Sequence, residues 1–157
     1  MKTGLLIFIV SLLIACGNKM NPMDYNEQIV RMHENTWLYL QSKQEQLYKY
    51  DDTSQEQAKI IIDSMNLKYA YITNLLDSID YPCDAEGFHT ATVVFYRYMK
   101  DSVLPMFSKT LEYEPQSRQW YEAWGKIDEA LNTRASQLEN NMIVEQAKFT
   151  KKVSIMY

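Results

Sequence analysis

The sequence predicts an all-α protein: an up-down-up-down four-helix bundle behind a cleaved N-terminal leader. Three observations carry that expectation. Gly and Pro number only 4 each in 157 residues, and sheets and loops consume those types at turns. Apolar residues recur at three- and four-residue steps instead of alternating. Turn and helix-start signals separate four such stretches. The division is residues 1–15 as leader, 16–21 as a short tether that begins with Cys16, and 22–157 as a single helical domain.

The leader comes first. Lys2 supplies a positive start, and Leu5 to Ala15 are apolar apart from Ser11. A helix that crosses a bilayer needs about 20 apolar residues, so this run is too short to span and reads as the core of a secretion signal.

The first helix opens at Asn21-Pro22, where Asn suits the cap and Pro the first helical position. Its stripe is Ile29, His33, Thr36, Leu40, Leu47 and Tyr50, widened by Met32 and Trp37, and Asp51-Asp52 close it. Thr53-Ser54-Gln55-Glu56 is a capping box for the second helix. That helix carries Ile62, Met65, Tyr69, Ile72, Leu76 and Ile79 at alternating three and four steps, flanked by Ile61 and Leu75. Such a stripe must face another apolar surface.

Asp80 to Gly87 reads as a loop. The third helix starts near Phe88, with Phe88, Thr92, Phe95, Met99, Ser102, Met106 and Thr110 on one side and a kink or restart at Pro105. Glu114-Pro115 opens the last helix, whose buried face is Trp120, Trp124, Ile127, Leu131, Ala135, Leu138, Met142 and Phe149. This helix reaches about Lys152 and is expected to overshoot its neighbours by roughly 10–15 Å. Its tail mixes lysines with apolar groups. An anionic-lipid contact is one reading of that mixture, and an ordinary frayed terminus is the favoured one.

Charge narrows the partners. The chain has 16 Lys+Arg against 20 Asp+Glu, whereas a nucleic-acid partner calls for a basic face. Tyr71, Tyr96 and Tyr121 fall off the core stripes and are either an exposed aromatic patch for a protein or a glycan or the margin of the core. The margin is the favoured reading.

Sites of chemistry are few. His33 and His89 are the only histidines. Glu86-Gly87-Phe88-His89 has the Glu-x-x-His spacing of carboxylate-bridged metal bundles, but a second copy is missing. His33, His89 and Glu86 are therefore weak metal candidates, and a packed, hydrogen-bonded histidine is the preferred reading. No cofactor is expected: Cys-x-x-Cys-His, Gly-x-Ser-x-Gly and a phosphate-cradling loop are absent from the sequence. No catalytic set is visible, so the expectation is a protein that is not an enzyme. With Cys16 committed elsewhere, Cys83 is left without a partner in the chain and is expected to be buried and inert.

Leu13-Ile14-Ala15-Cys16-Gly17 resembles the lipobox of bacterial lipoproteins, which signal peptidase II cuts after the cysteine is acylated. The chain as a whole resembles small helical lipoproteins of the Bacteroidota type. That resemblance implies lipidation at Cys16, anchorage in a membrane of the cell envelope, and sorting to the outer membrane, since Gly17 is not the Asp of an inner-membrane retention signal. Two functions follow from it as expectations. One is a non-enzymatic bundle that serves binding or envelope assembly. The alternative is a lipoprotein that binds a metal or small ligand in the bundle interior.

Overall fold

The computed structural model describes residues 20–49 and 55–156. The leader, Cys16, Tyr50, the Asp51-Asp52 helix end, and Thr53 and Ser54 of the expected capping box lie outside the described residues. Those described form an all-α bundle, with no strand among them.

Helix α1 runs Pro22–Tyr48. Asn21 caps it as expected, its Oδ1 accepting from the Met23 N–H at 2.8 Å. Tyr25, Ile29, Thr36, Leu40 and Leu47 are its buried line, so the stripe begins one step before Ile29. Helix α2 runs Gln55–Ser78 and buries Ala58, Ile62, Met65, Tyr69, Ile72 and Leu76. Each fully buried apolar side chain contributes about 1.5–3 kcal/mol relative to exposure.

The third rod is composite. A 3-10 turn at Cys83–Ala85 leads into α3, Glu86–Tyr98. A π-helical turn, Met99–Val103, joins this to α4, Leu104–Thr110. The fourth rod repeats the device: α5 is Arg118–Ala130, a π turn spans Leu131–Ala135, and α6 is Ser136–Met156. In each π turn a backbone N–H reaches five residues back, Leu104 to Met99 and Ser136 to Leu131.

A π turn takes in one residue more than an α turn, and the buried positions show what that does. On the third rod Phe88 and Phe95 are seven apart, but the next pair in line is Val103 and Thr110. On the fourth, Trp120 and Ile127 are followed by Ala135, Met142 and Phe149. The seven-residue repeat slips by one at each π turn, and the same side of the rod still faces the core. Ser102 and Met106, expected in the core by simple extension of the repeat, are only half-buried; Val103 and Phe107 take their places.

The same turn accommodates Pro105. Proline lacks an N–H, and its ring crowds the carbonyl four residues back. That carbonyl belongs to Asp101, inside the widened turn, and Pro105 sits in the first turn of α4. The rod restarts here without a loop.

Two boundaries differ from expectation. Glu86 and Gly87 are helical, so the α2–α3 connection is shorter than Asp80–Gly87. Pro115 does not open α5. The chain turns there, with Gln116 in the left-handed region at φ 63°. Ser117 caps α5 instead, its hydroxyl accepting from the Trp120 N–H at 3.2 Å. A proline's fixed φ suits a turn as well as a helix start, whereas Ser supplies the side-chain acceptor that a cap needs.

Contacts between residues far apart in sequence order the rods. Tyr25, His33 and Tyr48 on α1 meet Phe149, Glu139 and Trp124 on the fourth rod. Tyr39 meets Ser64 between α1 and α2, and the Met20 N–H, just before α1, bonds the Asp80 carbonyl, just after α2. Asp77 pairs with Arg97, and Gln55 reaches Leu111. Phe107 contacts Trp124, and Gly87 lies so near Glu145 that a Cβ there would stand 2.7 Å from its Oε2. In each pair numbering rises along one rod as it falls along the other. Met20, the loop at 79–82 and the end of α6 therefore share one end of the bundle.

The overshoot of the last helix is smaller than expected. Phe149 lies level with Tyr25, so the remaining residues of α6 extend roughly 5 Å beyond the start of α1 at about 1.5 Å each. Among the described residues, no helix is long and apolar enough to cross a membrane.

The slip is testable by truncation. Phe107→Ala is expected to cost about 3–5 kcal/mol and Met106→Ala about 1 kcal/mol or less in urea unfolding. Equal costs at the two positions would place the seam where the unbroken repeat puts it.

Candidate functional site

Two histidine-centred clusters inside the bundle gather the polar side chains on which any chemistry would draw. α1 brings Tyr25 and His33 to one side because they are eight residues apart, about two turns. α3 brings His89 and Tyr96, seven apart, to the facing side.

In the first cluster, the Tyr25 hydroxyl and His89 Nδ1 are 3.0 Å apart. The Tyr81 ring stacks on the imidazole with centroids 3.9 Å apart and planes 14° from parallel. Phe88 and Phe149 present edges to the Tyr25 ring at 5.9 and 6.1 Å. Burial pushes the His89 imidazole below the ordinary 6.5, while the Asp77 carboxylate pulls it weakly upward. Burial, assisted by Tyr81, pushes the Tyr25 hydroxyl well above the usual tyrosine range. The neutral pairing follows: Tyr25 donates to Nδ1, and the ring proton resides on Nε2.

In the second cluster, His33 Nε2 lies 2.8 Å from Glu139 Oε1 and Nδ1 lies 3.3 Å from the Tyr96 hydroxyl. A carboxylate only accepts, so Nε2 carries the hydrogen of that bond, and the Tyr96 hydroxyl pairs with Nδ1. Tyr96 is fully buried. Burial raises its hydroxyl pKa far above the usual range, an effect partly offset by a Thr36 hydrogen bond and reinforced by Glu139. A hydroxyl held protonated in this way is a hydrogen-bond donor and a poor nucleophile. The chain Glu139–His33–Tyr96 ties α6, α1 and α3 together.

The metal candidates are not brought together. Glu86 is exposed at the head of α3, while His89 points one nitrogen at Tyr25, and His33 takes Glu139 and not its sequence neighbour Glu34. Among the described residues, no group of three His, Cys, Asp or Glu is placed to hold a metal ion. Asp77, in the acidic loop region, pairs with Arg97 at 2.8 Å, and Asp80 and Asp84 are exposed.

Cys83 requires a correction. It is exposed at the start of the 3-10 turn and is not a free thiol, so it is neither buried nor unpaired. Pro82, not Cys83, is buried at that bend. The three tyrosines also part company: Tyr96 belongs to the core, whereas Tyr71 and Tyr121 are exposed. Sequence reasoning misses Tyr25, although it lies four residues before Ile29 on the same stripe. It misses Glu139 too, and nothing local marks that residue, since its role is set by a partner 106 positions away.

Comparison with protein-family models, with curated proteins and with solved structures finds no match, so function is to be read from the residues themselves.

Tyr25→Phe strands His89 Nδ1 in a buried site and is expected to cost about 1–3 kcal/mol in chemical unfolding. The pH dependence has a definite sign. Between the depressed folded pKa of His89 and 6.5, the unfolded chain binds more protons than the folded one. Stability is therefore fully present above about 6.5 and falls as pH drops through that window. His89→Asn should flatten this part of the profile in urea melts. An unchanged slope between wild type and variant would contradict the assignment.

Proposed function

We propose that the chain is a lipid-anchored lipoprotein of the cell envelope, sorted to the outer membrane where the source has one, whose helical bundle serves binding or envelope assembly without catalysis. The observation that carries this is the apolar run Leu5 to Ala15 followed at once by Cys16-Gly17. The anchored form requires the Cys16 thiol as a diacylglyceryl thioether and not in a disulfide, whereas the structure holds no free cysteine among the described residues, and cleavage frees the Cys16 amine. Each buried CH₂ contributes about 0.8 kcal/mol, and two chains anchor stably where one does not.

Two structural facts support the reading. Met20 sits at the end of the bundle, where its N–H bonds to the Asp80 carbonyl at 3.3 Å. Only Gly17, Asn18 and Lys19 separate it from Cys16, a reach of roughly 14 Å at about 3.5 Å per residue. The body would thus stand close to its bilayer. Both ring nitrogens of His33 and Nδ1 of His89 are used in contacts between rods, which is the pattern of a scaffold.

The test is expression in a bacterial host, with intact-mass analysis of the mature product. The expected result is a chain that starts at Cys16 with the added mass of its acyl groups. Cys16→Ser should lose both the cleavage and the membrane fraction. A start elsewhere, or Cys16 recovered in a disulfide, overturns the proposal.

A further inference from the structure

We infer that the cleft between the last turns of α1 and α5, at the end of the bundle away from Met20, binds an uncharged carbohydrate. The inference rests on the binding role proposed above, to which it gives a site and a ligand class, and not on the lipid anchor.

The cleft has a volume of about 310 Å³. Gln44, Glu45, Tyr48 and Lys49 line it from α1, and Trp124 and Asp128 from α5. Aromatic rings make one wall. The Tyr48 ring packs against Trp120 at 5.1 Å and meets Trp124 nearly at right angles at 5.3 Å, yet 53% of Tyr48 stays exposed. Tyr121, also exposed, extends this aromatic surface along α5 with its ring against Trp120 at 5.0 Å.

Two features of this region have no explanation in the packing of the protein itself. Trp124 is only 5% exposed, and its Nε1 is the one buried side-chain nitrogen or oxygen among the described residues without a hydrogen-bond partner. A buried donor left unpaired costs about 1–3 kcal/mol. The ring lines the cleft, so a ligand oxygen there can supply the acceptor. Gly125 is the second feature. It stands inside α5, where Gly is about 1 kcal/mol less favourable than Ala. A Cβ at this position would meet nothing within 4 Å, so the fold does not demand the glycine. Tyr121, Gly125 and Asp128 follow at four and three positions and share one side of α5. The missing side chain leaves room between the aromatic ring and the carboxylate.

The polar groups decide the ligand. Glu45 and Lys49 pair at 2.6 Å and cancel each other's charge. Gln44 donates and accepts, Asp128 accepts, the Trp124 indole donates, and the Tyr48 hydroxyl does either. Hydroxyl groups, which also donate and accept, match such a mixed set. A phosphate mainly accepts and an ammonium only donates, so each leaves part of the set unused. The weakly positive C–H face of a sugar ring suits the negative face of an aromatic ring. An extended peptide would look for a sheet edge, and no strand occurs among the described residues.

The test titrates the purified mature protein, in a detergent without sugar or choline headgroups, with maltotriose, cellotriose and chitotriose in turn. Proton–nitrogen correlation spectra follow the indole N–H signals. At least one sugar is expected to bind in the millimolar range or tighter and to move the Trp124 signal downfield while the Trp37 signal stays in place. Gly125→Leu fills the open space with a better helix former. It is expected to weaken that binding about tenfold or more with no loss of stability in urea, and Asp128→Asn to weaken it by a similar factor. Lys126→Leu, on the α4 side of the same helix, should leave binding unchanged. No response to any of the three sugars at about 20 mM, choline bound in their place, or undiminished binding by Gly125→Leu overturns the inference and leaves the anchor reading intact. An unacylated Cys16 overturns the anchor reading and leaves this inference standing.

Discussion

The structure depends on keeping one side of each rod turned toward the core over its full length. An α-helix advances 3.6 residues per turn, so an apolar seam persists only if the sequence spacing and the helical winding agree. α1 and α2 meet the condition directly: His33, Leu40 and Leu47 are seven apart on the first, and Ile62, Tyr69 and Leu76 on the second. The third and fourth rods meet it by taking up one extra residue in a π turn. Without that turn, the chain beyond it would rotate by about 100°. Ser102 and Arg134 would then press inward in place of Val103 and Ala135. An unpaired buried guanidinium costs several kcal/mol, far more than a local departure from α geometry.

The polar residues on the seams divide by reach. Threonine hydroxyls bond within their own helix, Thr36 to the Met32 carbonyl, Thr92 to Phe88 and Thr110 to Phe107. Thr92 and Thr110 specify nothing about neighbours, whereas Thr36 also meets the Tyr96 hydroxyl across the rods. Histidine and tyrosine reach across. Tyr25–His89 and Glu139–His33–Tyr96 each require particular residues of α1 and α3 to lie level, and the second also fixes α6. Sliding one rod by a turn would strand buried donors and acceptors, at about 1–3 kcal/mol apiece. Apolar packing alone tolerates such shifts more readily. These contacts also hold Phe149 against Tyr25, which sets the level at which α6 ends beside the start of α1.

What is legible in the sequence is local. Asn21-Pro22 announces the first helix, and the seam of α2 can be read residue by residue because its spacing never changes. The slip in the third rod leaves a trace, since Val103 and Phe107 are apolar where the extended repeat demands Ser102 and Met106, but a lone proline nearby suggests a different cause. Pro115 misleads because its φ fits both a turn and a helix start. The candidate site is legible only in part. His33 and His89 are visible as polar residues on apolar ground, whereas their partners depend on how the rods dock. Tyr25 and Tyr96 bond to histidines 64 and 63 positions away, a relation that no spacing rule records.

Phase and register belong together: the slip at Leu131–Ala135 carries the seam on to Met142 and Phe149. The most direct measurement is a pair of single-residue deletions followed by urea unfolding and circular dichroism. Removing Thr133, exposed within the π turn, would restore an unbroken seven-residue repeat from Trp120 to Phe149, and a folded bundle that keeps most of its stability is expected. Removing Asn66, exposed in the uninterrupted α2, turns half of that seam away from the core, and the cooperative transition is expected to collapse. Equal damage from the two deletions would contradict the role given to the π turns.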